Sequence, residues 1–239
     1  MESREEQPPK EREEGVILLR GFYAPELLAC FSEAAHRCFA AIESGRPIPD
    51  HYRFTPQAHS VRLRALLDFG IETEEALMTP LSATGLGHML SDLLGGPWRC
   101  RLEHSWVRKK FAPRNAPGRR DSIQDWHQDG ALGAPFPPQP GSAIPITRLA
   151  TCWIPLNACG VDSPGLEFIR ESPQGLLHFS ELADAVLRSR FEADAFWAPA
   201  LELGDGLVFR NDVLHRTHAD SAMTGDRISV EYRVFDSES

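Results

Sequence analysis

The stretch GDGLVFRNDVLHRTHADSAMTGDRISVEYRVF, residues 204–235, decides the fold. An apolar run, GLVFR, stops at a turn-like RND; a second run, LHRTH, starts at His215; a polar interval containing glycine then leads into RISVEYRVF. Short runs rich in Val, Ile, Phe and Tyr, punctuated by Asn, Asp and Gly, are strand signatures. Working outward, ITRLATCWIPLN (146–157) and LEFIR (166–170) have the same texture, and WRCRLEHSWVRKKF (98–111) alternates loosely. One amphipathic segment, SELADAVLRSR (180–190), reads as a short helix among them.

Toward the N-terminus the texture changes. In APELLACFSEAAHRCFAAIESG (24–45), Leu27, Leu28, Phe31, Ala35, Cys38, Phe39 and Ile42 recur at helical spacing, Pro25 suits a first turn, and Gly45 supplies the stop. HSVRLRALLDFG (59–70) and TEEALMTPLSATGLGHMLSDLLGG (73–96) look like further helical pieces, the second broken at Pro80. Residues 1–14 are charged, with almost nothing to bury, and read as a disordered acidic tail. Helices followed by many strands predict an α+β chain with a mainly β core. The expected architecture is a double-stranded β-helix, the cupin-like jelly roll, buttressed by N-terminal helices. It would form a single domain over 15–239, with 15–96 mostly helical and 97–235 the core.

Composition narrows the function. The chain has 239 residues, 42% hydrophobic and 25% charged, enough for a real core. A net charge of −9 argues against a dedicated nucleic-acid binder. Without a long apolar run or a secretory signal at its start, the sequence predicts a cytoplasmic protein that does not span a membrane. Its five cysteines, scattered and never CxxC, fit reduced thiols and not a zinc–cysteine site. The sequence leaves oligomeric state unassigned.

DSIQDWHQDGALG (121–133) places His127 and Asp129 two residues apart, just before Gly130. On a strand, such side chains project to one face and could address a metal ion, a proton relay or merely solvent. His215 follows 88 residues after His127, and two His with one carboxylate make up the facial-triad set of non-haem Fe(II). Twelve residues beyond His215, Arg227 and Ser229 would share a strand face and could receive a carboxylate. Blander readings stand beside these. His127 and Asp129 could be a solvated imidazole and a helix N-cap, Arg227 a surface ion pair near Asp226 and Glu231, and Trp153 core packing. Trp126 is expected to pack, facing away from His127, and His104 and His218 to be satisfied polar residues.

WHQDG, LATCWIPLN, GDGLVFRNDVLHRTH and DRIS together resemble the phytanoyl-CoA dioxygenase branch of the Fe(II)/2-oxoglutarate-dependent oxygenases, over about residues 97–235 and most strongly at the two metal-ligand segments. The resemblance implies His127, Asp129 and His215 as iron ligands and Arg227 as the anchor of the 2-oxoglutarate C5 carboxylate, with Ser229 or Thr217 alongside. Trp153 and Gln124 would line the same co-substrate pocket. The implied reaction consumes 2-oxoglutarate and O2, releases CO2 and succinate, and hydroxylates or otherwise oxidises an unactivated C–H bond of a small molecule. Related halogenases replace the carboxylate ligand with a small residue, so Asp129 argues for hydroxylation or a kindred oxidation. One segment departs from the family pattern: RESPQG (170–175) stands where a PGSH-like turn is usual, and no role is carried over to it. Two other readings remain, a cupin-like metalloenzyme without 2-oxoglutarate and a non-catalytic binding protein on the same scaffold.

Between residues 99 and 120, eight basic side chains face one acid, Glu103. A solvated face with a flexible loop explains this; so does a lid carrying Arg119 and Arg120 toward an anionic or acyl-type substrate. GAPFPPQPGSAIP (133–145) is too stiff for a helix and reads as a rim loop or connector.

Overall fold

The computed structural model describes residues 10–45, 49–52, 59–83, 85–115, 124–132, 146–171, 173 and 175–237. Two antiparallel sheets face each other. The larger runs β1 (Lys10–Glu13), β2 (Val16–Leu19), β9 (Gly206–Arg210), β6 (Leu149–Pro155), β11 (Arg227–Asp236), β5 (Trp106–Lys110), β3 (Ser60–Arg62), with β4 (Trp98–Cys100) also on β11. The smaller runs β10 (His215–His218), β7 (Gly165–Ile169), β8 (Phe196–Trp197). This is the jelly roll expected from the strand pattern, and among the described residues four helices of the N-terminal half precede its core strands: α1 (Pro25–Glu43), α2 (Leu63–Asp68), α3 (Glu74–Met78) and α4 (Leu86–Leu94). A fifth, α5 (Asp184–Arg190), follows a single 3-10 turn at Phe179–Glu181, so the helix expected at 180–190 begins four residues late.

The layers follow from alternation. On β11, Ile228, Val230, Tyr232 and Val234 join Ala150, Cys152 and Ile154 of β6 in the core shared with α1, α2 and α4. Tyr232, fully buried, donates its hydroxyl hydrogen to Leu77 O at 2.6 Å and so ties the sheet to α3. Truncating such a side chain costs about 3–5 kcal/mol. The opposite face of β11 carries Arg227, Ser229, Glu231 and Arg233, all buried. A strand with an apolar face toward helices and a charged face that is also dry has its charges in the interior between the sheets. Arg227 Nη1 reaches Gly165 O of β7 across that interior at 3.1 Å.

Three expectations need correction. Lys10–Glu13, expected to belong to a disordered tail, instead pair with Val16–Leu19; edge pairing draws on backbone groups and tolerates a charged sequence. The piece at 59–70 opens with a strand, Ser60–Arg62, before α2, because its first residues pair with β5. The basic stretch is not a uniformly solvated face: Arg108 and Lys110 are buried on the inner face of β5, while Lys109 points outward to Glu43 at 2.7 Å. Alternation on a strand sends i and i+2 inward whatever their charge. Arg119, Arg120 and the proline-rich 133–145 lie outside the described residues. Among the described residues no helix is long and apolar enough to cross a membrane, and all five cysteines are free thiols.

Candidate metal centre

His127 reaches the site by an isolated antiparallel bridge to His215, His127 N to His215 O at 3.0 Å and His215 N to His127 O at 3.1 Å. The expected strand through 127–129 does not form. Asp129 instead opens a 3-10 turn, Asp129–Ala131, and it is this turn after the bridge that swings the carboxylate back toward the imidazole. Gly130 makes the turn fit. Its N–H donates to Asn211 O at 2.7 Å, and a Cβ there would stand 2.9 Å from that oxygen. Gln128, between the two site residues, fastens the same turn to its surroundings: it donates to Asp212 O at 2.6 Å and Gly175 O at 3.0 Å and accepts from Leu177 N at 2.7 Å.

The ligand atoms of His127, Asp129 and His215 lie within 4.8 Å of one another. Asp129 Oδ1 is 3.9 Å from His127 Nε2, and Oδ2 is 3.8 Å from His215 Nε2. Each imidazole has its Nδ1 against a backbone carbonyl two residues back, Asp125 O at 2.7 Å and Val213 O at 3.0 Å. That contact places the proton on Nδ1 and leaves the Nε2 lone pair turned inward, the tautomer a metal requires. Burial, with His215 alongside, pushes the His127 imidazole down to about 3, so it is neutral and ligand-competent at pH 7. Burial raises the Asp129 carboxyl, but the Arg233 guanidinium beside it outweighs burial, and the net shift is downward. Two imidazoles with Nε2 turned inward and an ionised carboxylate facing them are a donor set that fits a divalent first-row ion.

The remaining predicted residues gather around this trio unevenly. A cavity beside it is lined by Gln124, Trp153, Thr217 and Arg227, along with His127 and His215. Its volume is about 10 Å³, room for roughly one water. Arg227 is 1% exposed, lies over the Trp153 ring at 5.1 Å, and its Nε has no partner among the described residues. The surface ion pair once open to Arg227 is therefore excluded; Glu231 pairs instead with Arg108 and Arg233. Burial lowers Arg227 to about 10. Ser229 shares its face, fully buried with an Oγ that has no partner among the described residues, but does not line the cavity. Thr217 Oγ1 accepts from Gln124 N at 3.1 Å, and Gln124 Nε2 sits 2.9 Å from His127 Nε2. Trp126 packs as expected, edge-on to Phe196 at 5.8 Å.

Sequence reasoning missed the row beyond Ser229. Arg233 Nη2 lies 2.8 Å from Asp129 Oδ1 and also contacts Glu231; Arg108 Nε in turn donates to Glu231 Oε2 at 2.5 Å. The signal was available, since 227, 229, 231 and 233 share one face by parity. Two larger surface grooves, about 570 and 520 Å³, run along α1 and include none of the site residues.

A sequence model described as phytanoyl-CoA dioxygenase matches residues 12–224. No curated protein matches at a significant level. Among solved structures, the fold is similar to AviO1 from Streptomyces viridochromogenes, with 17% identity, a TM-score of 0.64, and 95% of this chain and 91% of that one covered. It is also similar to iron-bound EctD from S. alaskensis (16%, TM-score 0.70, covering 94% and 73%). A third is SnoK, a non-haem alpha-ketoglutarate-dependent carbocyclase from nogalamycin biosynthesis (17%, TM-score 0.62, covering 94% and 81%).

Proposed function

The chain belongs to the phytanoyl-CoA dioxygenase family, and from that premise we propose that it is an Fe(II)/2-oxoglutarate-dependent oxygenase acting on an unactivated C–H bond of a small molecule. His127, Asp129 and His215 hold the iron, and Arg227 receives the distal carboxylate of 2-oxoglutarate. Thr217, Trp153 and Gln124 shape the same pocket, and Ser229 stands beside Arg227 on the same strand face. When bound, iron and 2-oxoglutarate supply a net reaction in which substrate, 2-oxoglutarate and O2 give hydroxylated substrate, succinate and CO2.

One observation carries the reading: a guanidinium only 1% exposed, lining a cavity that both histidines share, with an Nε that has no partner among the described residues. A buried charge is costly without a counter-charge. A dicarboxylate anchored there at one end would supply that charge and present its other end toward the trio. The remaining residues keep water out and fix orientation: Trp153 covers the guanidinium and Phe209 stands 4.7 Å from the His215 ring. Asp129 keeps the carboxylate position filled, which favours hydroxylation or a kindred oxidation over halogenation. The basic segment 99–120 suits an anionic or acyl-type substrate, with Arg119 and Arg120 as candidates.

A cupin-like enzyme without 2-oxoglutarate would have no use for Arg227, and a binding protein would have none for two imidazoles in the ligating tautomer. Anaerobic addition of Fe(II) and 2-oxoglutarate should give a visible charge-transfer band and, with air, succinate. His215→Ala should remove both. A chain that binds iron yet shows neither band nor succinate is not this enzyme.

A further inference from the structure

The Asp129 carboxylate comes from a one-turn 3-10 segment and not from a strand, so its backbone fixes its direction only weakly. What fixes it is a clamp. Thr151 Oγ1 donates to Oδ2 at 2.6 Å, and Arg233 Nη2 donates to Oδ1 at 2.8 Å, so each oxygen has one donor. Thr151 and Arg233 are direct partners in the β6–β11 register, which delivers both to the inner face side by side. Arg233 is itself held, because Glu231 contacts the same Nη2 and Arg108 holds Glu231 from the other side. The chain Arg108–Glu231–Arg233–Asp129 is thus a run of alternating charges, every member 7% exposed or less.

We propose that Arg233 is a positioning residue of the metal centre, setting, together with Thr151, the direction of the Asp129 carboxylate. This rests on the reading of Asp129 as a ligand. One donor per oxygen leaves each with a spare lone pair on the side of the imidazoles while forbidding rotation about the carboxylate axis. Both contacts are made by Nη2 at the tip of the planar head, so a lysine ammonium could replace the charge but not the reach and fixed plane of the guanidinium. A purely structural Arg233 would do no more than neutralise Glu231, and its loss would lower stability without touching metal binding.

The experiment is a titration of the full chain with Co(II), a spectroscopic stand-in for iron, following the visible band and the affinity at a temperature where circular dichroism shows each variant folded. Loss of an outer partner of a metal ligand typically costs about 10–100-fold in affinity. Arg233→Met should fall in that range with a shifted band, Arg233→Lys should recover part of the loss, and Thr151→Val should lose a few-fold. Folded Arg233→Met with wild-type affinity and an unchanged band overturns the proposal. If that variant does not fold, wild-type behaviour of both Arg233→Lys and Thr151→Val overturns it equally. Asp129→Ala separates the two levels: loss of affinity there with none in the clamp variants sinks only the clamp, whereas wild-type affinity in Asp129→Ala sinks the ligand reading and the clamp with it.

Discussion

Arg227 and Trp153, on neighbouring strands of the larger sheet, form a stacked pair: the guanidinium carbon lies 5.1 Å from the ring centre, beneath a cavity that also touches both histidines. The pair gives a buried cation a π-face, worth about 2 kcal/mol when desolvated, but not a counter-anion. Stability and function therefore pull in opposite directions at this residue.

Arg227→Met tests that opposition. In the ligand-free protein the variant should melt no lower than wild type, because a poorly compensated buried charge is replaced by an apolar chain of similar length. Its affinity for 2-oxoglutarate should nevertheless fall by at least about 2 kcal/mol, roughly 30-fold, the lower end for truncating one partner of a buried charged pair. Thermal melting and calorimetric titration read the two arms. A variant that melts lower and binds 2-oxoglutarate normally would reverse the assignment.

Metal binding should stabilise the fold, since the His127–His215 bridge joins two segments far apart in the chain. At a free ion concentration of about 100 times Kd, the gain is about 2.7 kcal/mol. Melting curves with and without Co(II) should show this rise, and His215→Ala should show none. Chelator should return wild type to the lower melting temperature.

The jelly roll was legible in the sequence because its strands are short, apolar and set off by turn residues, and α1 because seven apolar positions recur at helical spacing. The His/Asp/His set was legible as residue types, yet the reason for its convergence was not: an expected strand at 127–129 is a bridge plus a 3-10 turn. Such a turn depends on Gly130 N–H finding Asn211 O and on Gln128 reaching out to Asp212 O, both in a distant segment, and no local pattern encodes it. Glu231 was read only as a surface partner for Arg227, and Arg233 was overlooked, for a different reason. Charged residues alternating with apolar ones ordinarily mean a solvated face, and only the second sheet covering that face makes it an interior.

The metal-free protein should lose stability in acid through that interior row. Burial raises the Glu231 carboxyl, but Arg108 and Arg233 more than reverse it and hold it well below the usual carboxylate range. A folded pKa below the unfolded one means that the contribution is complete above about pH 4.5 and is lost as pH falls. Asp129, also lowered, adds a loss of the same sign. Melting temperature should be level from pH 6 to 8 and decline below about 5. Glu231→Gln should start lower at neutral pH and decline less steeply in acid; a parallel decline would show that other carboxyls govern the acid limb.

Gln124 stands in the path of the metal. Its Nε2 donates to His127 Nε2 at 2.9 Å, the lone pair that an ion would take, and the cavity alongside is closed to about 10 Å³. A dicarboxylate of ten heavy atoms cannot enter such a space unless the carboxamide turns away. Metal binding and pocket opening are therefore coupled through one side chain whose backbone N–H is held by Thr217. Gln124→Ala removes the competing hydrogen bond, worth about 1 kcal/mol, so Co(II) affinity without 2-oxoglutarate should rise about five-fold. The same change removes a donor from the opened pocket, and 2-oxoglutarate should bind the metal-loaded variant more weakly than wild type. Calorimetry in the two orders of addition separates these effects, and a fall in Co(II) affinity would show that the carboxamide helps the ion and does not compete with it.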